Sequence, residues 1–375
     1  MRIKVYISRT VKILSLAVAA ALVMTFTQVR FDHNRLRLDG FYMEEKDSLD
    51  VVLLGASEVY TAFSSALAYD EYGFTSYPFA TEANCIDLFE SQIKEINSRQ
   101  KPKVILIEMN GALYNDSNKE KDVKLRRYTD SMPYSQNKVD TINSFGNEED
   151  KLSYYFPWLM YHGSASAIGR FPDGISLYLR ENSSLKGVSV KLEETKLSGK
   201  IKDVQGDTSK KALPEKIEKK LRSFLQHCKD NGYDNIVFAK FPHRITTRKF
   251  YNRFQMGNTM ADIVREYGFD YLNFENDYKD IGLDFTEDYY NDDHMNIYGQ
   301  QKFTKYLGKV LTEKYGVEKS KLSEENKARW DKSGEYIHLY YDYYEQCKRN
   351  GKVIPMYETH GVMFRLDEMY SKKNV

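Results

Sequence analysis

The feature that most constrains the fold of this chain is an alternation of short apolar runs with segments of helical periodicity. The runs are rich in Val, Ile, Leu and Phe, and in the segments between them apolar residues recur every three to four positions. Strands that alternate with helices of this length indicate βαβ units and a parallel sheet. The predicted strands cover residues 51–54, 104–107, 236–241 and 271–274. The sequence therefore predicts a doubly wound α/β domain.

Two parts of the chain depart from this alternation. Between about 112 and 213, polar, aromatic and glycine-containing segments predominate, and we expect a partly helical insertion that lies over the ends of the strands. Beyond Gly316 the chain is charged and rich in tyrosine, with helical spacing over 335–348. We expect the α/β domain to cover 49–316 and a helical C-terminal appendage to cover 317–375.

The amino terminus has the layout of an export signal. A basic segment, 1–12, precedes the uncharged apolar run 13–26. The run is shorter than the roughly 20 residues that span a bilayer, and its small residues lie in its middle rather than after it. We predict an uncleaved signal anchor at 13–29 and a polar stalk at 30–48, with a cleaved signal peptide as the alternative. The positive end should stay inside, which makes the domain extracytoplasmic.

Composition argues against several classes of function. Lys and Arg number 55 and Asp and Glu 54, with no long stretch of one sign, so a nucleic-acid partner is not expected. The three cysteines are widely spaced, which disfavours a disulfide framework. The sequence contains neither a His/Cys cluster with metal-ligand spacing nor a phosphate-binding glycine loop, so no metal and no cofactor are expected.

Polar residues follow each predicted strand, at the edge of the sheet where ligands bind in open α/β folds. Ser57 follows the first strand, Asn110 the second and His243 the third, and His294 lies beyond the fourth. A serine hydroxyl becomes nucleophilic when a neighbouring imidazole takes its proton. Each residue alone has an ordinary structural explanation, such as a helix N-cap for Ser57. Their convergence on one edge favours a nucleophilic site.

The sequence reads GASEVY around Ser57 and DHMNIYGQQKF around His294, and the second predicted strand ends at Asn110. These three segments resemble the first, fifth and third blocks of SGNH hydrolases, the GDSL-like esterases. The chain looks nearest to membrane-anchored SGNH proteins of Gram-positive bacteria. It is more distantly similar to proteins of D-alanyl-lipoteichoic acid synthesis and alginate acetylation. The resemblance covers about 49–315 and implies a flavodoxin-like parallel sheet of SGNH type.

The resemblance implies catalytic roles for particular residues. Ser57 matches the serine that forms the acyl-enzyme, and His294 matches the general base. The family's usual acid lies three residues before the histidine, where this chain has Asn291. Asp292, in D-x-H spacing, is the predicted orienting acid, and Asp293 is the alternative.

Other residues are candidates for the rest of the site. The family's second-block glycine is missing, and the expected place reads PFATE, so the backbone N–H of Ala80 or Thr81 would serve the oxyanion beside the Asn110 side chain. Glu58 would line the pocket or remain a solvated residue of the first helical turn. His243 would bind substrate, compete as the base or have a structural role.

The expected function is that of an O-acyl esterase or acyltransferase that forms an acyl-Ser57 intermediate. The N-terminal run implies attachment to the membrane through the anchor, and this tethering favours a cell-envelope glycan or polymer as substrate. A membrane-bound O-acyltransferase is the expected partner. Hydrolase, transferase and thioesterase activities remain open. The alternative is a non-catalytic binding or assembly component with the same fold, suggested by Asn291 and the missing glycine.

Overall fold

The structure is a computed structural model that describes residues 2–27, 33–114, 118–161, 185–190 and 200–349. Its centre is one sheet of five parallel strands in the order β2-β1-β3-β4-β5. The predicted parallel α/β architecture is therefore confirmed. The strands are β1 Val51–Gly55, β2 Ser76–Ala80, β3 Val104–Glu108, β4 Ile236–Lys240 and β5 Asp270–Asn273.

Helices cover both faces of the sheet and continue beyond it at both ends of the chain. They are α1 Arg2–Thr27, α2 His33–Met43, α3 Ser57–Ala62, α4 Ser65–Tyr72, α5 Ile86–Arg99, α6 Asn118–Thr129, α7 Gln136–Phe145, α8 Lys151–Tyr155, α9 Trp158–Tyr161, α10 Glu215–Asp230, α11 Arg248–Glu266, α12 Ile297–Glu313 and α13 Glu324–Arg349. Short 3₁₀ helices at Met109–Leu113 and Glu148–Asp150 complete the described elements.

Alternate strand residues face two apolar layers. Val52 and Leu54 of β1 belong to a core shared with α2, α5, α10 and α11, whereas Val51 and Leu53 belong to a core shared with α3, α4 and α12. Burial on both faces explains why the central strands read as continuous apolar runs.

Strand β2 was missed in the sequence. It is short, it contains Pro78, and it lies at the edge of the sheet, where it pairs with β1 only. Proline has no N–H to donate, and an edge strand tolerates this because one side of it is unpaired. The sheet order turns at β1, with β2 on one side and β3 on the other, so the crevice for a ligand lies at the carboxyl ends of β1 and β3.

The insertion and the C-terminal segment both contain helices. Helix α6 packs against α2 and α7, and α7 packs against α5. The predicted helical segment 335–348 lies within α13, which packs on α4 and buries Trp330, Ile337 and Tyr340. The parts of these two predictions that cover 115–117, 162–184, 191–199 and 350–375 lie outside the described residues.

Helix α1 contains the predicted anchor up to Thr27, and residues 28 and 29 lie outside the described residues. Its apolar side chains are largely exposed, including Ile13, Leu14 and Leu16. Across the described ranges, no helix combines the length and the apolar character that crossing a membrane requires.

Gly55 permits the close approach of β1 to β3. Its φ is +156°, and an added Cβ would lie 2.7 Å from Val59 Cγ2 and 2.9 Å from Glu108 Cβ. We expect Gly55→Ala to lower the free energy of unfolding by about 1–3 kcal/mol, as overpacking does. Urea unfolding of the full chain, followed by circular dichroism, measures this.

Gly257→Ala is the matched control for that prediction. Gly257 lies inside α11, and an added Cβ would meet only Lys240 carbons at 3.8 Å, an ordinary contact. Alanine has the higher helix propensity, so this variant should be as stable as the wild type or more stable. Equal losses in both variants would contradict a special role for Gly55.

Candidate active site

Ser57 is the first residue of α3, immediately after the turn that ends β1. The N-cap position belongs to Ala56, which has extended backbone and makes no side-chain cap hydrogen bond. The N-cap explanation for Ser57 is therefore wrong. The Ser57 hydroxyl instead lies 2.8 Å from Nε2 of His294, a residue 237 positions further along the chain.

His294 is held in a tight turn before α12. The backbone N–H of Tyr290 donates to the His294 carbonyl at 2.9 Å, and Tyr289 pairs with Met295 as an isolated antiparallel bridge. The other ring nitrogen, Nδ1, lies 2.9 Å from Oδ1 of Asn291. Ser57, His294 and Asn291 therefore form a continuous chain of hydrogen-bond contacts.

The orientation of the Asn291 amide is set by the backbone. The N–H groups of Asp293 and His294 both donate to Asn291 Oδ1 at 2.9 Å. These two donors require the oxygen, and not the amino group, to face the turn and the imidazole. The Asn291 oxygen can accept only from a protonated Nδ1, which leaves Nε2 of a neutral ring free to accept from Ser57.

Asp292, the predicted orienting acid, faces other partners. Its Oδ2 accepts from Thr246 Oγ1 at 2.7 Å, and its Oδ1 lies 3.3 Å from Nε of the buried Arg244. The position at His294 Nδ1 is taken by Asn291, because the residue three before the histidine folds back to close the turn. This geometry corrects the predicted role of Asp292.

Glu58 lies inside the site and is only 2% exposed, so the interpretation of it as a solvated residue is wrong. Its Oε1 accepts from the Asn110 side-chain amide and, at 2.7 Å, from the Tyr114 hydroxyl. Its Oε2 lies 3.4 Å from the Ser57 hydroxyl. Both side-chain N–H groups of Asn110 are engaged, since that amide also contacts the Tyr114 hydroxyl at 3.1 Å.

His243 is buried between two carboxylates. Its Nδ1 lies 2.8 Å from Glu275 Oε1, and its Nε2 lies 3.7 Å from Glu58 Oε1. Burial and Lys240 lower the pKa of His243, but the two glutamates outweigh them and raise it to about 9. Burial alone would raise the pKa of Glu58, but His243 and His294 lower it well below its ordinary value. An ion pair between His243 and these carboxylates follows.

A second buried pair, Lys240 and Glu108, contacts Asn110. Lys240 Nζ donates to Asn110 Oδ1 at 2.8 Å and lies 3.7 Å from Glu108 Oε1. The Glu108 carboxylate accepts from the Asn110 backbone N–H at 2.9 and 3.0 Å. Burial raises the pKa of Glu108 to about 7, with Lys240 opposing and Glu58 adding to the shift.

The other predicted residues border this cluster. Gly55 is in register with Ala80, so Ala80 and Thr81 lie beside the turn that carries Ser57. The Thr81 hydroxyl is buried and has no hydrogen-bond partner among the described residues. Asp293 Oδ1 lies 3.9 Å from Arg253 Nη1. The structure thus brings Ser57, Asn110, His243 and His294 to one edge of the sheet.

Sequence reasoning missed several residues of the site, namely Glu108, Tyr114, Lys240, Arg253 and Glu275. Three of them could have been recognised in the sequence as charged residues at strand ends. Glu108 and Lys240 end otherwise apolar strands, and Glu275 follows β5. A charge at the carboxyl end of a buried strand must be paired, and a ligand-binding edge is where such pairs collect. Tyr114 and Arg253 carried no comparable signal.

Comparison of the chain with protein-family models, curated proteins and solved structures finds no match. The side-chain geometry and the sequence blocks are therefore the basis for inferring function.

Lys240→Met would leave Glu108 buried without its cation. We expect a loss of about 3–5 kcal/mol in unfolding free energy at about pH 8, as when one member of a buried pair is removed. The loss should shrink at about pH 6, because the pKa of Glu108 is raised above its value in the unfolded chain and the folded state takes up the proton first. Urea unfolding at both pH values measures this.

The double variant Lys240→Met/Glu108→Gln is the control. It has no buried charge at this position, so its own unfolding free energy should change less between the two pH values than that of Lys240→Met. A loss in Lys240→Met that is the same at both pH values would contradict the pairing.

Proposed function

We propose that the chain is an SGNH-type serine O-acyl esterase or acyltransferase. The observation that carries the proposal is the chain of contacts from Ser57 Oγ through His294 to Asn291 Oδ1, with heavy-atom distances of 2.8 and 2.9 Å. These lie within hydrogen-bond reach for a nucleophile, its base and an orienting group. The strand order and the position of Ser57 at the end of β1 are compatible with the fold that the sequence blocks suggest.

The chemistry divides into two half-reactions. Ser57 Oγ attacks the carbonyl carbon of an ester while His294 Nε2 takes the hydroxyl proton. Collapse of the tetrahedral intermediate breaks the bond to the leaving oxygen, which receives the proton from His294, and an acyl-Ser57 ester remains. Water or an acceptor hydroxyl then attacks this ester with the same proton transfers in reverse.

An asparagine can orient the base because its oxygen accepts from His294 Nδ1, as in the Cys-His-Asn sites of papain-like proteases. A neutral amide stabilises the imidazolium less than a carboxylate would. Glu58 supplies negative charge nearby, since its pKa is lowered in part by the charge of His294. In this site the orienting group and the negative charge come from two different residues.

The oxyanion would be stabilised by backbone N–H groups. The N–H of Ser57 belongs to the first turn of α3, where backbone donors have no partner within the helix. The backbone of Ala80 or Thr81 is beside it. The Asn110 amide donates to Glu58 in this structure, so it would reach the oxyanion only if that hydrogen bond exchanged for one to the substrate.

We further propose an envelope glycan or polymer as substrate, with the domain outside the cytoplasm. The basic segment 1–12, the apolar run 13–26 and the exposed apolar side chains of α1 support attachment to the membrane through a signal anchor at 13–29. A membrane-bound O-acyltransferase is the proposed partner, which would supply acyl groups to Ser57 if the reaction is a transfer.

A non-catalytic binding or assembly component of envelope polysaccharide modification is the second candidate. It is favoured by the engagement of both Asn110 amide donors with Glu58 and Tyr114 and by the neutral Asn291. Such a protein would retain the fold but neither form an acyl-enzyme nor respond to loss of Ser57.

Ser57→Ala and His294→Ala should each abolish turnover of p-nitrophenyl acetate, with a loss of roughly 10³-fold or more because nucleophile and base act as one unit. Ser57→Ala should also abolish labelling by a fluorophosphonate. Ser135→Ala, which changes a serine at the N-cap of α7, is the matched control and should retain both activities. Equal rates in wild type and both site variants would favour the binding component instead.

Asn291→Ala and Asp292→Ala separate the two possible orienting residues. Asn291→Ala removes the acceptor at Nδ1 and should lower kcat by roughly 10²-fold or more, since the tautomer of His294 is no longer set. Asp292→Ala should act mainly on thermal stability, because its carboxylate binds Arg244 and Thr246. A larger fall in kcat for Asp292→Ala than for Asn291→Ala would restore Asp292 as the orienting residue.

A further inference from the structure

Three residues beside Ser57 bring ligand atoms of the kind that bind metals into one small volume. Glu58 lies after β1, His243 after β4 and Asp293 in the turn before α12. One ligand atom from each, an imidazole nitrogen or a carboxylate oxygen, lies within 4.8 Å of the other two. Their positions are far apart in the sequence, which is why ligand spacing gave no sign of them.

The His243 imidazole is prepared to act as a ligand. Its Nδ1 contacts Glu275 Oε1 at 2.8 Å, and a carboxylate in that position fixes the ring and directs the other nitrogen toward a metal in many metal sites. The other nitrogen, Nε2, is buried without a hydrogen bond among the described residues, and His243 is only 3% exposed. In the ion pair with Glu58, Nε2 carries a proton 3.7 Å from Glu58 Oε1, and a metal ion bound between these two atoms would displace that proton.

Asp293 completes the group from the third side. Its Oδ1 is buried and accepts no hydrogen bond from the described residues, with Arg253 Nη1 3.9 Å away. The turn holds its backbone in place, since the Asp293 N–H donates to Asn291 Oδ1 at 2.9 Å. Asp293 is half-buried, which leaves this side open to solvent and to an entering ion.

We propose that Glu58, His243 and Asp293 bind one divalent first-row transition metal ion, of which Zn²⁺ and Mn²⁺ suit one imidazole and two carboxylates best. The two carboxylate ligands balance the charge of a divalent ion, and Glu275 stays in contact with His243 Nδ1. The sequence alone predicts no metal, because these three residues are far apart in the chain.

If the proposed function is right, the ion has a role in it. Asn110 donates to Glu58, so an ion would polarise the ester carbonyl together with the backbone N–H groups of the oxyanion site. Glu58 Oε2 lies 3.4 Å from the nucleophile Ser57, which places this site next to the reacting carbonyl. An ion with three protein ligands has open positions for a substrate oxygen.

Metal binding can be measured without activity. The full-length chain, purified in detergent, is treated with EDTA, desalted and titrated with ZnCl₂ by calorimetry and with MnCl₂ by electron paramagnetic resonance. We expect one ion per chain, with affinity reduced by about tenfold or more in Asp293→Asn and His243→Gln. Circular dichroism confirms that each variant is folded.

Asp292→Asn is the matched control, because it changes the adjacent carboxylate, which faces Arg244. It should bind the ion with wild-type affinity. Absence of binding to the wild type, wild-type affinity in Asp293→Asn, or an equal loss in Asp292→Asn would overturn the proposal. Ser57→Ala should keep the ion while losing fluorophosphonate labelling, so failure of the metal site and failure of the proposed esterase are distinguishable.

Discussion

The parallel pairing of β1 with β3 is the constraint on which the site depends. Both strands end at the same edge of the sheet, so Ser57 after β1 and Asn110 after β3 lie close together, and both contact Glu58. The strands approach closely at Gly55, where an added Cβ would collide with Val59 and Glu108. A bulkier residue there would separate the two strand ends and widen the crevice between them.

The buried charged side chains near the crevice form ion pairs. Lys240 pairs with Glu108, and His243 lies between Glu58 and Glu275, each at an interior position where an unpaired charge would be costly. These pairs hold the side chains that face Ser57. The network therefore contributes both to the packing of the sheet edge and to the electrostatic environment of Ser57.

The path of the turn before α12 determines which polar side chain contacts the His294 imidazole. Asn291 closes the turn by accepting from two backbone N–H groups, and the same oxygen faces His294 Nδ1. Asp292 points away to Arg244, and Asp293 points toward Glu58 and His243. Three consecutive polar residues thus face three different sets of partners. Their spacing in the sequence does not show which of them faces His294.

The sequence by itself determined the parallel α/β architecture, the positions of Ser57 and Asn110 after strands and the position of His294 before a helix, because buried strands and amphipathic helices leave periodic patterns. It did not reveal β2, whose Pro78 is tolerated only at a sheet edge. Only the tertiary structure decided which residue contacts His294 Nδ1 and which charged side chains pair beside Asn110. Those contacts join residues from separate strand ends or depend on the path of one turn, and neither leaves a periodic signal in the chain.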